Sequence, residues 1–128
     1  MGSFWYSLHQ GIEANTRATE LVDIPNFNRL AIELKYPAKL LLTLNVPDTW
    51  NSQAGDFNSF ALVVDNQVVA DGVYQSAIAN QRVPIAISTV KELSAGNHAI
   101  AAQWKTKEAS DLWIGAIGTA ILSARVIV

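Results

Sequence analysis

The sequence predicts an all-β fold, an antiparallel sandwich or barrel of about eight or nine strands. Short runs in which apolar and polar residues alternate recur at fairly regular spacing along the chain, as is typical of strands with one buried face. Turns rich in Gly, Pro, Asn and Asp separate these runs. One segment, Gln10 to Glu20, has a helical alternative. Its apolar residues, Ile12, Ala14 and Ala18, make a poor stripe, so we expect a loop there.

Four strand patterns occupy the first part of the chain. Phe4 to Leu8 alternates in polarity, and Thr19 to Ile24 is a short run of strand-forming residues. Leu30 to Leu34 shows the clean alternation of a half-buried strand. In the next run, Leu40 to Val46, every second residue is Leu or Val, which predicts an inward row. Pro47 to Asn58 is rich in Asp, Asn, Ser and Gly and is predicted to be a loop.

The middle of the chain contains a predicted hairpin and an edge strand. Phe60 to Val64 and Val68 to Val73 flank the tight turn Asp65-Asn66-Gln67, and Asp and Asn tolerate the left-handed backbone that such turns require. The later run from Val83 to Thr89 includes Pro84. Proline cannot donate a hydrogen bond to a neighbouring strand, so this run is predicted to lie at a sheet edge.

The final stretch, Leu112 to Val128, follows a predicted strand at Ile100 to Trp104 and is apolar on both faces. Arg125 carries its only side-chain charge after Leu112. A strand with one face in water alternates between apolar and polar residues, whereas a strand covered on both faces does not. We therefore predict a terminal strand whose second face meets a partner chain. The row that contains Ile117 and Ile121 is the predicted partner side, and the glycines of this stretch are expected at bends or close backbone approaches.

Composition agrees with a single domain over residues 1–128 that hides part of its surface. Apolar residues make up 50% of the chain and charged residues 16%, whereas a typical soluble domain is about one quarter charged.

The net charge is −2 and there is no basic stripe, so we expect no nucleic-acid partner. Without cysteine, disulfides, thiolate metal sites and a cysteine nucleophile are excluded. No signal peptide or membrane span is predicted, and the compartment stays open.

Five segments, taken in their order, resemble the small jelly-roll modules of the C1q and tumour-necrosis-factor type found in bacterial and phage proteins. They are Ala18 to Pro25, Phe60 to Val69, Arg82 to Ile87, Leu93 to Thr106 and Ser123 to Val128. Within the segment Phe60 to Val69, such modules usually carry Asp-Gly at the hairpin turn, whereas this chain has Asp65-Asn66. Asparagine also accepts a positive φ, so the turn is preserved. The loop between Thr106 and Leu112 and the glycine-rich run after it depart further from the pattern.

This resemblance implies a ten-strand jelly roll of two antiparallel sheets, which usually assembles as a homotrimer about a threefold axis. It also implies that the terminal strand lies centrally in the inner sheet, with one side on the core and parts of the other facing neighbouring subunits. Modules of this kind are mainly ligand-binding and receptor-binding proteins and not enzymes. The predicted interface residues are Ile117, Ile121 and Trp104. For Trp104, as for Trp5 and Trp113, a core position is the other interpretation.

Two aromatic residues are candidate ligand-binding residues. Trp50 is flanked by Asp48, Asn51 and Gln53 and could stack on a sugar ring, together with Tyr74 in a later segment. The alternative for Trp50 is a core residue that caps one end of the sandwich.

No metal, cofactor or catalytic residue is predicted. Asp48, Asn51, Asp56 and Asn58 carry oxygen ligands of the kind that calcium prefers, but they match no EF-hand spacing and are expected in a solvated loop. The two histidines, His9 and His98, are too few for a recognisable zinc site, and His98 is expected to hydrogen-bond locally near a turn. The nucleophile elbow, the phosphate-binding loop and a paired-carboxylate glycosidase pattern are all absent from the sequence.

The sequence therefore favours a non-enzymatic assembly or recognition module, a homotrimer that binds a protein or carbohydrate ligand of unknown identity. The alternative is a carbohydrate-binding module that uses the loop aromatics Trp50 and Tyr74.

Overall fold

The computed structural model describes residues 3–11 and 13–128, which form eleven strands and contain no helix. Ile12, one of the residues that left Gln10 to Glu20 ambiguous, lies outside the described residues. The strands are β1 (Phe4–Leu8), β2 (Ala14–Thr16), β3 (Val22–Asp23), β4 (Leu30–Leu34), β5 (Ala38–Asn51), β6 (Phe57–Val64), β7 (Gln67–Gln75), β8 (Val83–Leu93), β9 (Gly96–Thr106), β10 (Leu112–Ile114) and β11 (Ile121–Val126).

The strands form two antiparallel sheets. In sheet A, the long strand β5 pairs with β8 on one side and with both β11 and β10 on the other, and β1 and β2 extend these two short strands outward. In sheet B, the order is β7, β6 and β9, and β9 then pairs with both β3 and β4. This arrangement confirms the prediction of an all-β antiparallel sandwich. The structure has more strands than the eight or nine expected because it contains three very short strands, β2, β3 and β10, of two or three residues each.

The core lies between the two sheets and follows the predicted alternation. The even-numbered residues of β5 from Leu40 to Val46 are completely buried. Phe60, Leu62 and Ile100 of sheet B are also completely buried and belong to the same cluster. Trp104, predicted at an interface, is buried in this core as well, with its ring centroid 6.0 Å from that of Phe60. The prediction that Trp104 lies at an interface is wrong, because the side chain of Trp104 points from β9 into the core.

Two local predictions are confirmed. Asp65 and Asn66 have φ values of 49° and 67°, and positive φ at both central positions is the geometry of a type I′ hairpin turn between β6 and β7. Within the described residues β8 pairs only with β5, so the strand that contains Pro84 lies at the edge of sheet A.

Two segments differ from the prediction. The final stretch is not one strand, because residues 115–120 separate β10 from β11 and the two strands pair with different parts of β5. The predicted loop from Pro47 to Asn58 is largely strand. β5 continues to Asn51 past an irregularity between Val46 and Thr49, and β6 begins at Phe57. The backbone of β10 pairs with Thr49 to Asn51, which explains why polar residues there lie in a strand.

Candidate interaction surface

One face of sheet A points away from the core and is rich in apolar side chains. Because Leu40, Leu42 and Leu44 of β5 are buried, the residues between them, such as Leu41 and Thr43, face outward. The register places outward-facing residues of three further strands beside them. We call this surface the outer face. It consists of Phe4, Tyr6 and Leu8 of β1, Ile121, Ser123 and Arg125 of β11, Lys39, Leu41, Thr43 and Asn45 of β5, and Ala86, Ser88, Val90 and Glu92 of β8.

Large apolar and aromatic side chains of the outer face are exposed in the single chain. Phe4 is 57% exposed and Tyr6 61%, and their rings stack with centroids 5.8 Å apart. Val90 on β8 and Ile121 on β11 are also exposed. Between these residues lie Leu41, Arg125 and small polar groups, among them the hydroxyls of Thr43 and Ser123, which hydrogen-bond across β5 and β11. An exposed apolar surface of this kind marks an interaction site more often than isolated apolar residues do.

The loop between β10 and β11 is held against β5 by Asp48. The carboxylate of Asp48 is buried and accepts hydrogen bonds from Nη1 of Arg82 at 2.6 Å and from the backbone N–H of Ile117 at 3.3 Å. The backbone N–H of Gly115 donates to the carbonyl oxygen of Asp48 at 2.9 Å. A Cβ on Gly115 would lie 2.0 Å from Oδ2 of Asp48, so a residue with a side chain does not fit there.

The two remaining predicted interface residues are both exposed. Ile117 lies in the loop and is 68% exposed, while Ile121 begins β11 on the outer face. Gly118, with φ at 74°, brings the loop close to Pro47, since a Cβ there would lie 2.8 Å from the proline ring. The structure therefore leaves Ile117 and Ile121 available to a partner. Their contact with one stays a prediction.

Trp50 is enclosed by its neighbours. Its ring stacks on that of Trp113 with centroids 5.8 Å apart and planes 5° apart, and the guanidinium of Arg82 lies 3.9 Å from its centroid. Tyr74, the second candidate ligand residue, lies on β7 in sheet B and packs against the core. Its hydroxyl is buried without a hydrogen-bond partner in the described chain, and burial raises the pKa of Tyr74. The two side chains therefore form no exposed platform together.

The polar residues expected in a solvated loop instead form a buried network at one end of the sandwich. Nδ2 of Asn51 donates to Oδ1 of Asn58 at 2.7 Å and to the Ser110 hydroxyl at 2.9 Å. Asn58 in turn donates to the Ser76 hydroxyl at 3.0 Å. The Ser110 hydroxyl donates to the carboxylate of Asp56. These side chains are buried and bonded to one another, so the prediction of a solvated loop is wrong.

Asp56 keeps its charge in this buried network. Burial alone would raise the pKa of Asp56, but hydrogen bonds from the Ser110 hydroxyl and from the backbone N–H groups of Phe57 and Glu108 lower it overall. Asp48, another candidate calcium ligand, is paired with Arg82. Over residues 3–11 and 13–128 there is no cluster of three or more His, Asp or Glu side chains that could hold a metal ion.

The two histidines lie in opposite environments. Nδ1 of His98 lies 2.6 Å from Oδ2 of Asp65, and Nε2 lies 2.8 Å from the carbonyl oxygen of Ser94. The bond to Ser94, four residues away in the turn, confirms the expectation of local bonding, and the hydrogen bond to Asp65 raises the pKa of His98. His9 is buried edge-on against Phe27, and burial lowers its pKa.

Sequence reasoning missed most of the outer face. The alternation of Phe4, Tyr6 and Leu8 with Ser7 predicts a half-buried strand, but it does not show which side faces the core. Trp5, on the other side, is the only further large apolar residue between Phe4 and Leu8. Arg82 and Trp113 carried no local signal, because their role depends on pairing with the distant residues Asp48 and Trp50.

The part of the chain that the structure describes contains no helix long and apolar enough to cross a membrane.

No family model matches the sequence, and no curated protein matches it. Among solved structures, the chain is similar to that of Eiger TNF from S. frugiperda, with a TM-score of 0.63 and 8% sequence identity. The similarity covers 98% of this chain and 93% of that chain. At this identity it concerns the fold alone, and it agrees with the two antiparallel sheets described above. The chain therefore has the fold of a TNF-like jelly-roll sandwich.

Proposed function

We propose that this protein is a non-enzymatic assembly and recognition module that forms a homotrimer through the outer face of sheet A. The observation that carries the proposal is the exposure of Phe4, Tyr6, Val90 and Ile121 on one continuous sheet face. Covering these side chains removes apolar surface from water, which is the main driving force of protein association.

The low charge of the outer face favours a second copy of the chain as its partner. The core of a protein interface is depleted in charged residues and enriched in aromatic ones, and homodimer interfaces are more apolar than others. The centre of the outer face carries one charged residue, Arg125, and the chain as a whole is only 16% charged. The threefold arrangement is supported by the TNF-like fold and by the family resemblance of the sequence.

The roles of the buried carboxylates support a function other than catalysis. Asp48 is held by Arg82 and Asp56 by Ser110 and backbone N–H groups, so both serve to fix loops and strands. On the surface, Asp23 and Asp111 pair with Arg29 and Arg17 at 2.7 and 2.6 Å. Ser110, whose hydroxyl donates to Asp56, is buried, and none of these four carboxylates is paired with a histidine in the described chain, as acid–base catalysis would use.

The carbohydrate-binding alternative has less support. A sugar ring stacks on an exposed aromatic face, whereas Trp50 is 8% exposed and lies between Trp113 and Arg82. The stack instead caps one end of sheet A, which was the other interpretation of Trp50.

Substitution of Ile121 by Asp tests the proposal. A charge buried in a covered apolar contact is costly, so Ile121→Asp is expected to shift the protein from trimer to monomer. The control is Val68→Asp, which places the same charge on an exposed apolar residue of sheet B. The measurement is light scattering at matched concentration, with circular dichroism to establish that each variant is folded. If both variants keep the mass of the parent protein, the outer face is not the interface.

A further inference from the structure

Arg125 is an unusual residue for the centre of the outer face. Its cross-strand neighbours are Phe4 on one side and Leu41 on the other, so both flanking side chains are apolar. Within residues 3–11 and 13–128, no carboxylate lies in ion-pair distance of its guanidinium. In the single chain water solvates this charge. If another copy covers the face, the charge loses that water, and a buried charge without a counter-charge is strongly unfavourable.

The four strands of the outer face supply two carboxylates, Asp48 and Glu92, and only Glu92 is exposed. Asp48 on β5 is buried and committed to Arg82. Glu92 on β8 has 78% of its side chain exposed, and its ion pair with Lys39 has a long N–O distance of 3.8 Å. If the counter-charge is a carboxylate of the partner's outer face, the contact that buries Arg125 also buries that carboxylate. Glu92 therefore meets the requirements of position, charge and accessibility.

In the described chain, Arg125 and Glu92 do not form an ion pair. β5 lies between β11 and β8, and Glu92 lies two residues beyond Val90, which shares the row of Arg125. Two strand spacings and two residue steps place their Cα atoms about 12 Å apart. Because the single chain leaves Arg125 without a carboxylate partner, an ion pair between these two side chains would join two copies. It brings the centre of β11 in one copy to the edge strand β8 of the next, a head-to-tail contact that closes into a ring.

We infer that Arg125 forms an intersubunit ion pair with the partner's Glu92, and that this pair fixes the register in which the copies assemble. The inference rests on the proposed function, since it requires that copies of the chain meet at the outer face. Beyond the proposed function, this inference names the residue that pairs with Arg125 and the direction of the contact between copies. Close charge pairs at interfaces contribute strongly to specificity, because the wrong alignment leaves both charges desolvated and unpaired.

A charge swap tests the inference. Arg125→Glu and Glu92→Arg are each expected to raise the dissociation constant of the assembly by about tenfold or more. The double variant, in which the two charges are exchanged, is expected to return to within about threefold of the parent protein. The measurement is sedimentation equilibrium over a range of concentrations. Arg125→Gln and Glu92→Gln, which remove the charge and keep similar size, serve as a second pair if a reversal variant fails to fold.

Glu13→Arg is the matched control, because Glu13 is an exposed carboxylate that directly precedes β2 of sheet A and lies outside the outer face. Its dissociation constant should equal that of the parent protein. The ion pair is refuted if the parent protein assembles but the double variant is as weak as the single variants, or if Glu13→Arg is equally damaging. If the parent protein is monomeric at every concentration, the proposed function fails and the ion pair fails with it.

Discussion

Asp48 shows how a single residue fixes the loop between β10 and β11. Its carboxylate is 4% exposed and holds Arg82, which comes from the segment before β8, while its carbonyl oxygen accepts the N–H of Gly115 after β10. A buried carboxylate is tolerated because the arginine and the backbone N–H of Ile117 provide the opposite charge and the hydrogen bonds. Arg82 also covers Trp50. The position of the exposed Ile117 thus depends on residues almost seventy positions away in the chain.

Gly115→Ala is predicted to destabilise the protein. The new methyl group would overlap the Asp48 carboxylate and would lie 2.6 Å from the Trp50 ring, so the loop or the tryptophan must move. Overpacking of this kind costs about 1–3 kcal/mol in the free energy of unfolding. Chemical denaturation measures it. Gly72→Ala is the control, because the nearest atoms to its added Cβ are those of the Ile87 side chain at 3.4 Å. Equal stability of the two variants would contradict the close contact at Gly115.

At the scale of strands and turns, the sequence pattern predicted what depends on neighbouring residues. The alternation in Leu30–Leu34 and the Asp65-Asn66 turn are local properties, and both are present. The glycines between β10 and β11 lie where bends or close backbone approaches are expected, with Gly115 close to Asp48 and Gly118 at a positive φ. That the strand breaks there was less evident, because the alternation of apolar residues continues through Ala116 and Ala120.

The buried network at the end of the sandwich was missed for a related reason. Polar residues such as Asn51 and Asn58 predict a loop when each is considered alone. In the folded chain they satisfy one another, and a buried polar group is tolerated when it is hydrogen-bonded. Partners as far apart as Asn51 and Ser110 cannot be paired from a single sequence.

His98 connects two turns and makes the stability of this region depend on pH. Asp65 lies in the β6–β7 turn and Ser94 in the β8–β9 turn, and His98 bonds to both. Its pKa in the folded protein is raised above the ordinary value of 6.5, chiefly by the hydrogen bond to Asp65. The protonated histidine therefore adds stability that is fully present below pH 6.5 and is lost as the pH rises through the pKa of the folded state.

We predict that His98→Gln lowers stability most below pH 6.5 and that its difference from the parent protein narrows as the pH rises above that value. Thermal unfolding of both proteins across this range measures the difference. His9 provides an internal comparison, because its pKa is lowered by burial and its contribution is lost as the pH falls below 6.5. NMR titration should find the two histidines on opposite sides of that value. A difference that widens with rising pH would contradict the His98–Asp65 interaction.

At the scale of the whole molecule, two sheets bury one core, and sheet A leaves the aromatic and aliphatic side chains of its outer face uncovered. The final stretch predicted this surface through Ile117 and Ile121. The structure adds Phe4, Tyr6 and Val90, which come from strands at the two sides of the same sheet. We therefore propose that another copy of the chain covers the outer face.

The mass of the unmodified protein in solution tests this account most directly. The chain has a mass of 13.9 kDa, so multi-angle light scattering at micromolar concentration should give about 42 kDa, the mass of a closed trimer. A mass near 13.9 kDa that does not change with concentration would contradict the account, because the outer face would then be stable in water.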